Sequence, residues 1–463
     1  MPSFILQVIL TFIFPLTFVP CIRQGMFMNY EETIDYLYRA LPMFSRTGAA
    51  AIKKDLTNTR ILCQKAGDPQ NTFKSIHVAG TNGKGSVSHM LAAVLQTAGY
   101  TTGLYTSPHL KDFRERIRVN GSMIEEDFVV SFTEKKIPLI ETIEPSFFEI
   151  TVVMAFEYFA ARQVDVAVIE TGLGGRLDST NVITPVLSVI TNIGMDHMNI
   201  LGDSLAQIAF EKAGIIKTNV PVVVGETLPE TKPVFETIAK EKKSPLVLAE
   251  KEWYADDHKY GKQELVVELV HALRNDKQTI HLDLTGIYQL KNLVTALTSI
   301  DQLKKAGWQI PEKAIMEGLR NVKALTGLHG RWEVIHHHPL VVLDVGHNED
   351  GIKQITAQLE LMSYHNLHIV IGMVKDKEIE KVMQLLPKEA SYYFTKAQTP
   401  RAMPEDQLAA IAAGYGLTGH HFLSVNTALQ NAVGHARKDD LILVCGSVFV
   451  VGEVERSAVL FDY

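Results

Sequence analysis

The run G-T-N-G-K-G-S at residues 80–86 has the residue types needed to hold a polyphosphate. Backbone at Gly80, Gly83 and Gly85 can approach phosphate oxygens closely. Lys84 would sit over the β- and γ-phosphates, and Ser86 offers a hydroxyl to phosphate or metal. The run departs from the common G-x-x-x-x-G-K-[ST] loop, because Gly85 separates Lys84 from Ser86. Three further sets of polar residues could join it. Ser107, in S-P-H-L, precedes a proline that disfavours helix and turns the chain. Glu170 follows the apolar run V-D-V-A-V-I and could reach the Mg²⁺ that accompanies ATP, as a Walker B acid does. Arg176 and Asp178, in the glycine-rich stretch after it, face either substrate or solvent. Asp196-His197 brings an imidazole, which in its neutral form is a ligand for divalent metal. Lys212 precedes a helix end at Gly214, where a lysine also compensates the helix dipole.

These residues can meet if each follows a strand of one parallel sheet, where ligands bind beyond the carboxyl ends. Short apolar runs predict strands at 75–79, 102–106, 164–169, 186–191 and 220–225, alternating with helical patterns. After Ser86 the apolar residues Val87, Leu91, Val94, Leu95 and Ala98 recur at helical spacing, and Gly99 suits a left-handed helix end. The loop at 80–86 would thus deliver its N–H groups and a helix N-terminus to one small volume. Ser204 to Gln207 has capping-box form, ahead of the helix carrying Lys212. An opening helix is expected at 29–41, with a loop and a second amphipathic segment over 48–63. Alternating runs at 264–269 and 279–284 predict a small antiparallel addition, and helical stretches follow at 289–306 and 311–319. Residues 325–331 suggest an inter-domain linker. Beyond it, strands at 340–345, 368–374, 392–395 and 441–445 form a second α/β series, and His336–His338 are expected in a polar turn.

At 463 residues the chain can form two domains, and 46% hydrophobic with 21% charged residues describes a globular protein. A net charge of −7 without a long basic run points away from nucleic acid and from anionic membranes. Cys21, Cys63 and Cys445 are distant from one another and lack metal-ligand spacing, so free thiols and a reducing, cytoplasmic setting are expected. Residues 4–19 are strongly apolar, of about signal-sequence length and short of the roughly 20 residues of a membrane span. No positive residue precedes them, and Met26 and Met28 follow closely. Residues 1–28 are therefore expected to be a dispensable extension or the product of an upstream start, with secretion as the alternative. The expected domains are 29–325, binding ATP, and 326–463, a smaller Rossmann-like lobe.

Eight stretches in order resemble the folylpolyglutamate synthase and dihydrofolate synthase family, the folate branch of the Mur-type ATP-dependent amide ligases. They are G-T-N-G-K-G-S, T-S-P-H-L with R-E-R-I, F-F-E-I-T, E-T-G-L-G-G-R-L-D-S-T-N, D-H, E-K-A-G-I, H-G-R-W-E and D-V-G-H-N. The resemblance spans residues 30–455, and the first 25 residues have no counterpart. It implies an α/β, Mur-ligase-like fold in two domains, with ATP held by Thr81, Asn82, Gly83, Lys84, Gly85, Ser86, Asn292, Arg331 and Asp344. It also implies two Mg²⁺ ions held by Ser107, Glu170 and His197, and a carbamate on Lys212. Ser146, Phe147, Phe148, Glu149, Leu177, Asp178 and Ser179 match stretches that contact pterin. The family's D-x-A-H-N stands here as D-V-G-H-N, a change expected to keep the backbone.

The implied reaction joins L-glutamate to a folate carboxylate: the carboxylate attacks the γ-phosphate of MgATP, and the glutamate amine displaces phosphate from the acyl phosphate. Lys84 would neutralise charge on the transferring phosphoryl group. Lys212 would act as its carbamate, and His347 would orient glutamate or touch phosphate. Dihydropteroate and tetrahydrofolate are both expected substrates, and a monomer is expected. A different Mur-type ligase, such as a poly-γ-glutamate synthetase, is one rival; Gly85 and S-P-H-L favour the folate branch. The rival from another class is a P-loop kinase or nucleotide switch, for which the second α/β domain would have no purpose.

Overall fold

A computed structural model of the chain describes residues 28–43, 46, 48, 55–261 and 263–459; the apolar run at 4–19 and Cys21 lie outside them. Buried apolar runs form the middle of a central sheet whose strands are β1 (Lys74–Ala79), β2 (Thr102–Tyr105), β3 (Ile117–Val119), β4 (Ser122–Met123), β5 (Val166–Glu170), β6 (Leu187–Ile190), β7 (Val222–Val224) and β8 (Leu246–Leu248). Their order is β4-β3-β2-β5-β1-β6-β7-β8, parallel from β2 to β8, with β3 and β4 antiparallel at one edge. Successive side chains alternate between faces. Val166 and Val168 of β5 pack with Val87, Leu91 and Val94 of the helix Lys84–Thr97, whereas Ala167 and Ile169 pack with the helix Phe147–Ala161.

The predicted antiparallel addition is a three-stranded sheet of β9 (Trp253–Tyr260), β10 (Leu265–His271) and β11 (Lys277–Leu282), in the order β11-β10-β9. The second α/β series has six strands: β12 (Glu333–His337), β13 (Leu340–Leu343), β14 (Leu367–Ile371), β15 (Ser391–Thr395), β16 (Gly419–Phe422) and β17 (Leu441–Cys445). They run in the order β12-β13-β17-β14-β15-β16, all parallel except β12.

The turn expected at His336–His338 needs correction. His336 and His337 belong to β12, paired with Val341 and Leu340, and the turn falls at His338-Pro339. The linker expected at 325–331 is itself packed: the helix Val322–Thr326 ends at Gly327 with φ +70°, and Leu328 and Gly330 are buried before buried Trp332. Ser204 caps the helix Leu205–Ala213 through the Gln207 N–H at 3.3 Å, but the Gln207 side chain accepts from the Asp203 N–H at 2.9 Å, so the reciprocal box does not form. Among the described residues, no helix is long and apolar enough to cross a membrane.

Candidate active site

Directly after β1, Gly80 and Gly83 take φ of +154° and +83°, the region where a side chain is strained. A methyl group on Gly80 would overlap Thr191 Oγ1, and one on Gly83 would overlap Asn292 Oδ1. Lys84 begins the following helix, and its Nζ curls back to donate to the Gly80 and Thr81 carbonyls, each at 3.1 Å. Thr81 Oγ1 accepts from the Gly194 N–H at 3.0 Å, and Asn192 Oδ1 accepts from the Asn82 N–H at 2.8 Å. Ser86 is buried, and its Oγ accepts from Gln289 Nε2 at 3.2 Å, an acceptance that does not use its O–H. Asn292 Nδ2 donates to the same glutamine at 2.8 Å, so the helix Gln289–Lys305 braces the loop.

The two positions have different steric room. Gly83→Ala should weaken ATP binding by about tenfold or more, because a strained backbone costs on the order of 1–3 kcal/mol. At Gly85 an added methyl would make only ordinary van der Waals contacts, its nearest neighbours Arg331 Nη2 and Glu170 Oε2 lying 3.8 Å away. Gly85→Ala should stay within about threefold of wild type by the same scale. Calorimetric titration with ATP compares the pair.

Glu170 closes β5, and its Oε2 accepts from the Ser107 N–H at 3.2 Å, beside the loop. Burial raises its pKa, against the pull of Lys84. His197 follows β6 with φ +51°, and its Nε2 is 3.4 Å from Lys377 Nζ. Burial, helped by the Lys377 charge, lowers its pKa to about 3 and keeps the ring neutral. Lys377 also reaches Asp196 Oδ1 at 2.5 Å, while His347 Nε2 and Asn348 Nδ2 approach Asp196 Oδ2 at 3.5 and 3.1 Å. Burial opposes the Asp196 charge, yet His347, His197 and Lys377 together hold its carboxyl well below the usual range.

Ser107 and Glu170 thus form one group beside the loop, and His197 joins a second with Asp196 and Lys377. A buried carboxylate and a neutral imidazole suit Mg²⁺. Among the described residues no three His, Cys, Asp or Glu side chains gather around one point. Mg²⁺ is commonly held by one or two carboxylates together with substrate phosphates.

Lys212 is buried in the helix Leu205–Ala213 and donates to the Gly80 carbonyl at 2.7 Å. Burial, with Lys84 nearby, lowers its pKa to about 7. From the other lobe, Asp344 follows β13. Its Oδ2 accepts from the Tyr288 hydroxyl at 2.6 Å and the Trp332 N–H at 2.9 Å, and its Oδ1 from the Gly346 N–H at 2.8 Å. These bonds fix the segment that presents Arg331 to Gly85. An alanine at Gly346 would bring its methyl 2.6 Å from Ile355 Cδ1, so the glycine of D-V-G-H-N matches this packing.

Between the lobes lies a cavity of about 620 Å³, lined in part by Ser107, Phe147, Phe148, Leu177, Ser179 and Lys377. Ser146 and Glu149 form a reciprocal helix cap, with the Ser146 N–H on Glu149 Oε2 at 2.6 Å and the Glu149 N–H on Ser146 Oγ at 3.2 Å. Their cap aims the Phe147 and Phe148 rings. Asp178 accepts from the Leu173 and Thr180 N–H groups at 2.8 and 3.0 Å and shapes the glycine-rich wall. Arg176 pairs with Glu211 at 2.8 Å. Gln289 and Lys377 carry no signal in the sequence that marks them as part of the site. Arg116 lies within R-E-R-I, which follows S-P-H-L after three residues, so its stretch is legible in the sequence although its role is not.

The middle part of the chain, residues 78–300, matches the Mur ligase middle domain, and residues 330–448 match the Mur ligase glutamate ligase domain. Fold and site together define a Mur-type ligase. A probable bifunctional folylpolyglutamate synthase/dihydropteroate synthase of Haloferax volcanii is 33% identical over 441 residues, 93% of this chain and 50% of that protein, so the chain spans about half its length. The dihydrofolate synthase/folylpolyglutamate synthase of Bacillus subtilis is 31% identical over 445 residues, 93% of this chain and 99% of that one. The chain belongs to the folylpolyglutamate synthase/dihydrofolate synthase family. Solved structures agree. FolC of E. coli in complex with DHPP and ADP aligns with TM-score 0.78 at 29% identity, covering 92% of this chain and 96% of that chain. The bifunctional folylpolyglutamate synthase/dihydrofolate synthase of Yersinia pestis complexed with AMPPNP and Mn aligns with TM-score 0.78 at 28% identity, covering 94% and 98%.

Proposed function

We propose that this chain ligates L-glutamate to the carboxylate of dihydropteroate and of reduced folates, consuming ATP through an acyl phosphate. One observation carries the reading: Ser107 lines the cavity while its N–H rests on Glu170 beside the phosphate loop, so acid and nucleotide share a wall. The folate carboxylate attacks the γ-phosphorus and the bond to ADP breaks. The glutamate amine then attacks the acyl carbon, loses a proton, and inorganic phosphate leaves. In this reading Thr81, Asn82, Gly83, Lys84, Gly85, Ser86, Asn292, Arg331 and Asp344 form or brace the ATP site. Ser107, Glu170 and His197 hold two Mg²⁺, which when bound neutralise charge on the phosphates. A carbamate on Lys212 adds an anionic group near His197 and Asp196.

The aromatic wall of Phe147 and Phe148 takes the pterin, and His347 serves the incoming glutamate from the second lobe. Residues 29–325 and 326–463 would be the working units of a cytoplasmic monomer. Closure of the second lobe would keep water from the acyl phosphate. Purified protein with ATP, labelled glutamate and either dihydropteroate or tetrahydrofolate should form both amides. Phosphate release should require the pterin acid and glutamate together; release without glutamate would favour a kinase.

A further inference from the structure

Arg116 is nine-tenths buried, with 8% of its surface exposed, and it lines the cavity. A buried guanidinium is ordinarily paired, because removing its charge from water is costly. Here the nearby acids are already committed. Arg114 takes Asp112 and Glu126 at 2.7 and 2.8 Å. Glu115 accepts the N–H groups of Leu110, Lys111 and Asp112. Among the described residues, no carboxylate forms an ion pair with Arg116.

Its surroundings instead fix its direction. Nε donates to His109 Nδ1 at 2.7 Å. A guanidinium cannot accept, so Nδ1 carries the lone pair and the ring proton is on Nε2, which lies 3.4 Å from the Tyr38 hydroxyl. The guanidinium carbon stands 5.3 Å from the centre of the Phe147 ring. Phe147 packs in turn on Tyr38 and Phe113, with ring centres 5.6 and 5.9 Å apart. The cation is therefore held by an aromatic shelf, and Nε, the donor nearest its stem, is already used. One further N–H is engaged by the Tyr105 hydroxyl, and the other terminal N–H groups of the five-donor fork remain.

We propose that Arg116 is a specificity residue, donating from its terminal nitrogens to O4 and the N5 lone pair of a 7,8-dihydropterin that lies along the Phe147–Phe148 wall. This rests on the proposed function above and extends it to the chemical group being read. A planar fork of donors matches two acceptors on one edge of a flat heterocycle. The 4-amino counterpart presents a donor at the same place and leaves the guanidinium unsatisfied, the kind of mismatch that discriminates strongly.

The test is equilibrium binding of dihydropteroate and its 4-amino-4-deoxy counterpart to the whole protein with MgADP. Wild type should prefer the 4-oxo compound by about 10- to 100-fold, the range for a charge-assisted hydrogen bond. Arg116→Met should bring that ratio close to one by weakening the 4-oxo compound alone, with MgADP affinity unchanged. Arg116→Lys, which keeps one charged donor, should give an intermediate ratio and serves if the methionine variant does not fold. An unchanged ratio in either variant, or equal weakening of both compounds, overturns the inference. Binding of neither pterin by wild type would overturn the proposed function along with it.

Discussion

Lys84→Met is expected to lower kcat for glutamate ligation by about 10³-fold or more, the scale on which a cation at a transferring phosphoryl group matters. The ammonium is anchored on the Gly80 and Thr81 carbonyls at 3.1 Å, so it is placed before nucleotide arrives and little ordering remains to be done. Burial lowers its pKa, and Glu170 and Asp196 counter that effect. A bound phosphate would add further negative charge and favour the protonated form. Methionine keeps most of the packing and removes only the charge. Lys84→Arg should not restore activity, because the planar guanidinium cannot occupy the point defined by two carbonyls of one tight turn. Pre-steady-state measurement of acyl phosphate formation locates the loss at phosphoryl transfer; a Lys84→Met enzyme within about tenfold of wild type would remove the lysine from that step.

Residue pattern exposed the interior of this molecule and hid its edges. Strands covered on both faces, such as β5 and β17, are continuous apolar runs and stand out without any partner in view. The edge strands β4, β8 and β16 have exposed or half-buried side chains and look like loops. The helix Phe147–Ala161 carries buried apolar residues around its circumference, so no 3.6-residue stripe marks it. In the helix Glu126–Ile143, Pro138 argues locally against the conformation that the tertiary contacts impose. The site divides the same way. Lys84, Glu170 and His197 follow strands of one sheet, so topology alone places them at its carboxyl edge. The bond from Gln289 to Ser86, and that from Lys377 to Asp196, join residues 203 and 181 positions apart, and neither partner's neighbours announce the other.

The chemistry of Lys212 depends on burial that only the fold supplies. An ordinary lysine, with a pKa near 10.4, has a neutral fraction of roughly 4 in 10⁴ at pH 7, too small to react readily with CO₂. With its pKa lowered to about 7 by burial and by Lys84, about half of the Lys212 side chains are neutral at that pH. The nitrogen lone pair can then attack CO₂, lose a proton, and form the carbamate proposed above. The modification would turn a buried amine beside Lys84 into an anion, which removes a repulsion and adds an oxygen ligand. Lys212→Ala is accordingly expected to lose about 10²- to 10³-fold in kcat, the cost of removing one oriented charged group. Formate or acetate should diffuse into the space left and restore part of the rate, whereas chloride at equal ionic strength should not. ¹³C-bicarbonate should give a carbamate carbon resonance in the wild-type protein that is absent from the alanine variant. Rescue without the resonance would assign the lysine a purely electrostatic part, and absence of both would return it to the bland role of a buried amine donating to the Gly80 carbonyl.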